Sequence, residues 1–510
     1  MRPEDPITGL CLALLCLSVV AEVTEAKRVV ILPMPFTSHT KYHSNVARAL
    51  VKLGHEVWLT MPDYLVEKGV LDTTSLTVVE YQPKVHLEEE QMRGFRDAYF
   101  AGEKDDWGLF IDLSVLHCHL LLTNDTFFRE IREIRPDFII IDNIPSLKML
   151  SILPYRLGIP FAFVGSGYDP LAKRLPFSPG TSPVSFLSFT DRMTFSQRLL
   201  NSLVFLMNTL YDPLMLSDAV ARYAPEMPYL PIDLLVARAE LWLVEFDHIL
   251  DYPRSTMPHV KLIGGTATGP AKRLAPPFRA FMDEAAQGVV IVSFGSYVLN
   301  LPTDISDKIF KVLMELPFRS VFRSNLSSPD PQKILTSPWI PQNDLLGHAN
   351  TKVFVSHCGK NGQYEALFHA VPVVATPLFA DQGYNTERMR SKGFAETVDL
   401  RTVSAEELRD TIVKVATTKS YKEAISKASE LFRIEFGIPM ERAAFWLDHV
   451  MKYGGAHMRS AGQDMPFYQY LGVDIFLFYF ALLLTVFSLS VACIYKSFKF
   501  AFCRRKHKTE

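Results

Sequence analysis

The segment from Trp339 to Gln382 restricts the possible folds of this chain more than any other. It reads WIPQNDLLGHANTKVFVSHCGKNGQYEALFHAVPVVATPLFADQ. Val353, Phe354 and Val355 have the composition of a fully buried strand, and Ser356-His357-Cys358-Gly359 closes it. A polar turn with Gly359 and Gly362 follows, and helical spacing begins at about Gln363. A further strand then leads to a second turn ending in Asp381-Gln382. Such alternation belongs to open α/β sheets, which bind ligands beyond the carboxyl ends of their strands. The free N–H groups and positive dipole end of the helix favour a phosphate. Gly359 and Gly362 allow the backbone close to an anion, and His357 adds a donor. Trp339 offers a ring for stacking. Asp381 and Gln382 offer a carboxylate and an amide for hydroxyls. Base platform, phosphate cradle and hydroxyl partners together fit a nucleotide-sugar.

Two such α/β units are expected. The β-branched run Arg28 to Met34 precedes helical spacing over Tyr42 to Leu53, which Gly54 stops before the strand His55 to Thr60. That is a βαβ opening. Asp137 to Asp142 and Pro160 to Val164 read as later strands around a helix near Ser146 to Leu157. Pro176 to Leu235 is rich in Pro, Phe and Leu and poorly periodic, as expected of helices and loops lining an apolar cavity. Gly264-Gly265-Thr266-Ala267-Thr268-Gly269-Pro270, continuing to Pro277, has the composition of a linker. The second unit opens at Gly288 and its first strand ends in the small-residue turn Ser293-Phe294-Gly295-Ser296. The expected division is a leader (1–26), a first domain (27–263), a linker (264–280), a second domain (281–453), a membrane-proximal segment (454–474), a span (475–495) and a basic tail (496–510).

The ends carry the address. An apolar run from Leu10 to Val20, then Thr24-Glu25-Ala26, fits a cleaved secretory signal; an uncleaved anchor is the alternative, and the run is short for a span. Ile475 to Tyr495 is long enough to cross a hydrocarbon core of ~30 Å. Lys496, Lys499, Arg504, Arg505, Lys506 and Lys508 follow it, which by the positive-inside tendency puts the tail in the cytosol and the domains in the lumen. Phe467, Tyr468 and Tyr470 before the span fit an interfacial belt. The ending Lys506-His507-Lys508-Thr509-Glu510 resembles a dilysine retrieval signal of the endoplasmic reticulum; a plain basic stop-transfer flank is the alternative. A net charge of −2 leaves no nucleic-acid footprint. Of six cysteines, only Cys118 and Cys358 fall in the expected lumenal part, so neither a disulfide framework nor a CxxC metal spacing is present. Asn124-Asp125-Thr126 and Asn325-Leu326-Ser327 are glycosylation sequons.

The pieces WIPQ-DLLGH, HCG-NG, Tyr364-Glu365 and PLFADQ, in this order and spacing, closely resemble the signature of the UDP-glycosyltransferases, above all the membrane-bound animal UDP-glucuronosyltransferase branch. The resemblance runs from about Arg28 to the C-terminus, is densest from about Gly288 to Tyr453, and is loose from about Asp63 to Leu235. It implies a GT-B fold of two facing Rossmann-like domains plus one C-terminal transmembrane helix. It implies an inverting enzyme that transfers a hexosyl or glucuronosyl group from a UDP-sugar to a hydroxyl or carboxyl of a small lipophilic acceptor. It implies no cofactor and no metal, and it leaves self-association or association with a relative open.

The resemblance also assigns residues. A histidine stands in the family between the first strand and the glycine ending the first helix; here it is His39. Its imidazole, with an ordinary pKa of about 6.5, suits the general base that frees an acceptor hydroxyl of its proton. A helix-capping or surface histidine is the plain alternative, and Thr40 departs from the aromatic common in vertebrate relatives. Asp142 would hold the imidazole and stabilise its charged form, as in hydrolase triads, or merely cap a helix. Trp339 would stack on uracil, unless it is a core tryptophan, with Gln342 near the base or ribose. His357, Gly359, Asn361 and Gly362 would hold the diphosphate and Glu365 the ribose hydroxyls, although a first-turn carboxylate is also favoured by the helix dipole. Ser293, Gly295 and Ser296 form the opposing turn. Arg323 matches a family arginine, Asp381 and Gln382 would bind the sugar, and Cys358 reads as structural.

One position bears on the donor. Relatives tend to carry a basic residue eight positions before the proline of a motif resembling Asp251-Tyr252-Pro253-Arg254; here it is Glu245. A second carboxylate near that of UDP-glucuronic acid is unfavourable, so a neutral hexose such as glucose is expected to be preferred, unless Arg254 or another cation offsets Glu245. His43 could pair with His39 on a metal, but no third ligand is evident. His117-Cys118-His119 carries as little, and Glu88-Glu89-Glu90 reads as a solvated loop. A Rossmann dehydrogenase would need GxGxxG after the first strand, where this chain has Pro33, Pro35 and His39. A silent lumenal binding protein would be expected to have lost His39, Asp142 or the HCG turn.

Overall fold

The structure is a computed structural model and describes residues 25–184 and 187–506. The leader apart from Glu25 and Ala26, and the last four residues of the dilysine-like ending, lie outside the described residues. The first sheet holds β1 (Arg28–Leu32), β2 (Glu56–Pro62), β3 (Thr77–Tyr81), β4 (Phe138–Asp142), β5 (Phe161–Gly165), β6 (Leu241–Val244) and β7 (Val260–Leu262), in the order β3-β2-β1-β4-β5-β6-β7. The second holds β8 (Val289–Ser293), β9 (Arg319–Arg323), β10 (Ile334–Ser337), β11 (Thr351–Ser356), β12 (Val373–Ala375) and β13 (Ala395–Thr397), in the order β10-β9-β8-β11-β12-β13. All pairings are parallel.

Helices cover both faces of each sheet, so the middles of the central strands are buried on both sides and are apolar, with polar residues at their ends. In β1 and β4, Val30, Leu32, Ile139 and Ile141 enter one core while Val29, Ile31, Phe138 and Ile140 enter the other. In β8 and β11, Val289, Ile291 and Phe354 face away from Val290, Val292, Val353 and Val355. Each sheet reverses its winding once, between β1 and β4 and between β8 and β11. These two crevices are where an open α/β sheet binds ligands.

Several local expectations are corrected. The first helix is Thr37–Lys52, so His39 sits in its first turn rather than in the preceding loop. The helix after β11 is Lys360–Phe368, opening at Lys360 rather than Gln363. Glu88 is not solvated: it lies in the first turn of the helix Leu87–Ala101, buried, accepting from the Thr37 amide at 2.6 Å and pairing with Lys68 at 3.2 Å. The first part of the segment expected as a linker is packed. Thr266 and Thr268 are buried, and the Thr266 carbonyl accepts from Asn45 at 2.9 Å. A Cβ on Gly265 would enter the Tyr364 ring, so the crossing needs glycine there. Within 176–235, the helix Phe195–Met215 turns a row of large apolar side chains outward rather than into a cavity.

After the second sheet the chain returns to the first. The helix Pro439–Tyr453 packs on Thr37–Lys52, and Asp448 meets His55 at 3.2 Å. The chain ends in the helix Val473–Lys506, whose Val473–Phe500 portion is, among the described residues, the one helix long and apolar enough to cross a membrane.

Candidate functional site

The crevice between β1 and β4 holds His39 and Asp142. Asp142 ends β4, where Ile141 is level with Leu32 of β1, so its carboxylate faces the helix that β1 leads into. Asp142 Oδ2 accepts from the Met34 amide at 2.9 Å and meets His39 Nδ1 at 2.7 Å. Oδ1 accepts from the Tyr42 hydroxyl at 2.5 Å, and the Tyr42 oxygen is 2.9 Å from His39 Nδ1. A carboxylate only accepts, and the single Tyr42 proton goes to Asp142, so Nδ1 carries the imidazole proton. The lone pair is then on Nε2, and the ring is partly open to the cleft while Asp142 is fully buried. Burial disfavours the charged imidazole, but the Asp142 charge and hydrogen bond outweigh it, and the His39 pKa is raised above its ordinary value. Burial likewise works against the Asp142 carboxylate, yet His39 and His43 hold it well below the usual carboxylate range. Tyr42 is the partner that sequence reading passed over. Its signal was only its spacing, one helical turn after His39. His43 is buried with its Nε2 3.5 Å from Asp142 Oδ2. Among the described residues, no three His, Cys, Asp or Glu side chains gather as a metal requires.

The crevice between β8 and β11 holds the second group. Ser356 of β11 is level with Ser293 of β8, which brings the turns Ser293–Ser296 and His357–Gly359 side by side. A Cβ on Gly295 or on Gly359 would strike the His357 imidazole. The two glycines therefore let the ring lie between the turns, a role different from admitting an anion. Burial pulls the His357 pKa down to about 4, so the ring is neutral at pH 7 and offers an N–H without a charge. The cations are elsewhere. Lys360 opens the helix, its amine drawn down to about 8 by burial against the opposing field of Glu245 and lying 4.2 Å from the Phe246 ring centre. Arg323 donates to the Gly295 carbonyl and lies 5.1 Å from the Trp339 ring centre. Burial lowers its pKa to about 10, so it stays charged. Arg323 thus braces both the small-residue turn and the half-buried Trp339 ring. Ser293 is buried with an unpartnered hydroxyl, Ser296 ends the same turn with its carbonyl 3.5 Å from Arg323, and Gly362 lies in the first turn of the helix, against Phe354 and Gln342.

The two crevices face one another. Asn361 donates to the Ser38 carbonyl at 3.1 Å, and the Ser38 hydroxyl is 3.2 Å from Tyr297. Lys41 meets Glu365 Oε1 at 2.8 Å, while Gln342 donates to Glu365 Oε2. Residues flanking His39 therefore touch the first turns of Lys360–Phe368 directly. Glu365 is buried and both its oxygens are engaged, so a ribose would have to take over one of those places. Asp381 keeps one oxygen on Asn385 at 2.8 Å. Gln382 is buried, its Oε1 accepting from the amides of Leu378 at 2.8 Å and Phe379 at 3.2 Å. It braces the loop that carries Asp381, and only its amide nitrogen is left for a ligand.

Glu245 follows β6 and is 1% exposed. Its Oε1 accepts from the Thr266 amide at 2.7 Å and hydroxyl at 2.5 Å, and its Oε2 is buried without a partner. Arg254 does not offset it. That guanidinium donates to the Tyr384 hydroxyl at 2.6 Å and lies 3.6 Å from Asp251, which also pairs with Arg388 at 2.6 Å. Of the sequons, Asn124 caps the helix Asp125–Ile134, accepting from Thr126 at 3.0 Å and Phe127 at 3.1 Å. Asn325 is exposed, 3.3 Å from Asn300.

Comparison with known proteins agrees with this architecture. A family model described as UDP-glucoronosyl and UDP-glucosyl transferase matches residues 27–509. Human UDP-glucuronosyltransferase 2B7 is 30% identical over 499 residues, covering 93% of this chain and 94% of that protein. Mouse UDP-glucuronosyltransferase 1A7 is 30% identical over 515 residues, covering 97% and 96%. Among solved structures, the glycotransferase of kitacinnamycin superposes with a TM-score of 0.59 at 20% identity, over 83% of this chain and 99% of that one. The glycosyltransferase VinC, solved with dTDP, gives 0.55 at 17% identity over 84% and 100%. These likenesses establish the two-sheet GT-B architecture.

Proposed function

Because the chain belongs to the UDP-glucuronosyl and UDP-glucosyl transferase family and is a UDP-glycosyltransferase, we propose that it transfers a hexosyl or glucuronosyl group, with inversion, to a hydroxyl or carboxyl of a small lipophilic acceptor. The observation that carries this reading is the Asp142–His39 pair directly opposite the first turn of Lys360–Phe368. His39 Nε2 takes the acceptor proton as its oxygen attacks the sugar C1. The bond from C1 to the diphosphate oxygen breaks on the far side, and UDP leaves with the added negative charge. The His357 N–H, the helix N-terminus and the Lys360 ammonium stabilise that charge where it develops, with Asn361 and the two small-residue turns shaping the pocket. Positive charge held by the chain performs there the task a divalent cation would otherwise perform. Trp339, backed by Arg323, stacks on uracil, Gln342 and Glu365 take the ribose, and Asp381 and Gln382 the sugar.

The donor preference rests on Glu245. Its unpartnered buried oxygen makes a second carboxylate nearby unfavourable, and Lys360 is the cation that both would compete for. A second negative charge brought into such a site costs about 1–2 kcal/mol, roughly tenfold in rate. The expected order is therefore UDP-glucose above UDP-glucuronic acid, even though the relatives named above are glucuronosyltransferases. Full-length protein in membranes, given several UDP-sugars and a panel of phenols, alcohols and acids with and without chelator, tests the reading by mass spectrometry of products. Glu245→Gln, which keeps the shape, is expected to raise use of UDP-glucuronic acid relative to UDP-glucose by about tenfold. Strong preference of the unaltered enzyme for UDP-glucuronic acid would reject the donor assignment alone, whereas no glycoside from any donor would reject the activity.

We read the apolar C-terminal helix as a single span of the endoplasmic reticulum membrane, with both sheets lumenal, the basic tail cytosolic and Asn124 and Asn325 open to glycosylation. Protease added to sealed microsomes is expected to remove a C-terminal epitope and spare the body. Protection of that epitope would reverse the orientation.

A further inference from the structure

The helix Phe195–Met215 has two unlike faces. Its inner face is fastened to the preceding loop: Asn201 Oδ1 accepts from the Val184 amide at 2.8 Å, and its amide donates to the carbonyls of Pro179 at 2.7 Å and Ser182 at 3.0 Å. Phe205 stacks on Phe177 at 4.2 Å, and Thr209 is buried. The outer face carries Phe195, Leu199 and Leu203, four residues apart, and then the adjacent pair Leu206 and Met207, three and four residues after Leu203, with Leu200 at its margin. Phe195 is 74% exposed and Leu199 and Met207 each 63%. A soluble fold does not leave so continuous an apolar stripe in water without a use for it.

The position of this helix identifies what covers the stripe. The helix packs on Ile232–Ala237, which packs in turn on Ala461–Asp464, nine residues before the apolar C-terminal helix begins at Val473. Gln463 donates to the Ala237 carbonyl at 3.3 Å. The buried Arg174 donates to the Met465 carbonyl at 3.0 Å, pairs with Asp233 at 3.1 Å and lies 5.3 Å from the Tyr470 ring centre. The chain entering the span is therefore docked, through these contacts, on the same side of the first domain as the exposed helix. Tyr468 and Leu471, also exposed, continue the apolar surface toward Val473, and Arg192 and Arg198 are exposed at the helix's start.

We propose that Phe195–Met215 lies in the surface of the bilayer leaflet from which the C-terminal span emerges, with its Phe195-Leu199-Leu203-Leu206-Met207 stripe among the upper acyl chains. An amphipathic helix settles in this way at a depth of ~5–10 Å. The bilayer is already beside it, so immersion brings no new cost of association. The first domain is thereby held against the membrane by a second contact, and lipophilic molecules dissolved in the leaflet pass close to it. This inference rests on the C-terminal helix crossing a membrane, and its test separates the two.

The full chain, with Cys11, Cys16, Cys493 and Cys503 replaced by Ser, is reconstituted in liposomes. Nitroxides are placed one at a time by Leu199→Cys, Leu203→Cys, Met207→Cys, by Leu483→Cys in the span, and by Ile434→Cys, 75% exposed on the second domain. Collision with oxygen and with a water-soluble nickel chelate is then measured. The three helix sites are expected to exceed the Ile434 site several-fold in the ratio of oxygen to nickel accessibility, as does the Leu483 site. Water-like values at all three, with Leu483 lipid-like, would overturn the proposal and leave the span intact. Exclusion of both agents would mean that protein covers the stripe, and would overturn it as well. A water-like Leu483 would instead remove the span itself.

Discussion

His39→Ala is expected to lower kcat/KM by ~10²–10⁴-fold, the range a positioned general base contributes, while UDP affinity changes little. The separation follows from the two crevices. His39 belongs to the first sheet, and its partners are Asp142 and Tyr42. The helix start, His357, Lys360 and Trp339 belong to the second. Removing the imidazole leaves Ser38 in place, since its contacts to Asn361 and Tyr297 use its carbonyl and hydroxyl rather than its neighbour's ring. His357→Ala is the complementary case. It removes a donor and opens the space that Gly295 and Gly359 leave for the ring, so UDP binding weakens. Calorimetric titration of UDP beside steady-state rates separates the two patterns. Unchanged turnover in His39→Ala would end the mechanism, and unchanged UDP affinity in His357→Ala would end the assignment of the cradle.

What sequence makes legible here is what lies close along the chain. Both crevices were marked by strands too apolar to be anything but central, ending in a turn with one polar residue of note: Asp142 after Phe138–Ile141, His357 after Val353–Ser356. What it concealed depends on the meeting of distant segments. Lys41 is an ordinary helix residue until the fold brings it to Glu365, 324 positions away. The first-turn Lys360 passes as one residue of a polar turn until the fold brings its amine to the Phe246 ring and the Ser166 carbonyl, within the field of Glu245. Glu88 looked solvated because two more acids follow it, and only the arrival of Thr37 and Lys68 gives it buried partners. The Leu and Phe of Phe195–Met215 suggested a lining because apolar residues usually face inward, and the face they take is set by Asn201 and Phe205 holding the other one. Tyr42 lies closer to legibility, since a helix that presents His39 to the cleft presents the residue one turn on to the same carboxylate.

Asp142→Asn should lower kcat/KM by ~10²-fold or more and also move its pH dependence, which distinguishes loss of the pair from general damage. The carboxylate accepts on both oxygens: Met34 and His39 at Oδ2, Tyr42 at Oδ1. An amide cannot reproduce this. With its oxygen toward Met34 and His39, its NH2 faces the Tyr42 hydroxyl, which then turns its own proton toward His39 Nδ1, 2.9 Å away. That favours the tautomer with the proton on Nε2, where the base needs a lone pair. The titration shifts as well. In the native protein burial pulls the His39 pKa down and Asp142 more than restores it, so the rising limb of kcat/KM falls above 6.5. In the variant burial remains and the main opposing charge is gone, so the limb should move below 6.5. Stability follows the same signs. The depressed Asp142 contributes above its ordinary 3.8 and loses this as pH falls toward its folded value. The raised His39 contributes fully below its ordinary 6.5 and loses this as pH rises through its folded value. The deficit of Asp142→Asn in denaturant unfolding should therefore be widest between about pH 4 and 6.5 and narrow above that window. A limb that stays in place in the variant would mean that Asp142 shapes the crevice without governing the proton on His39.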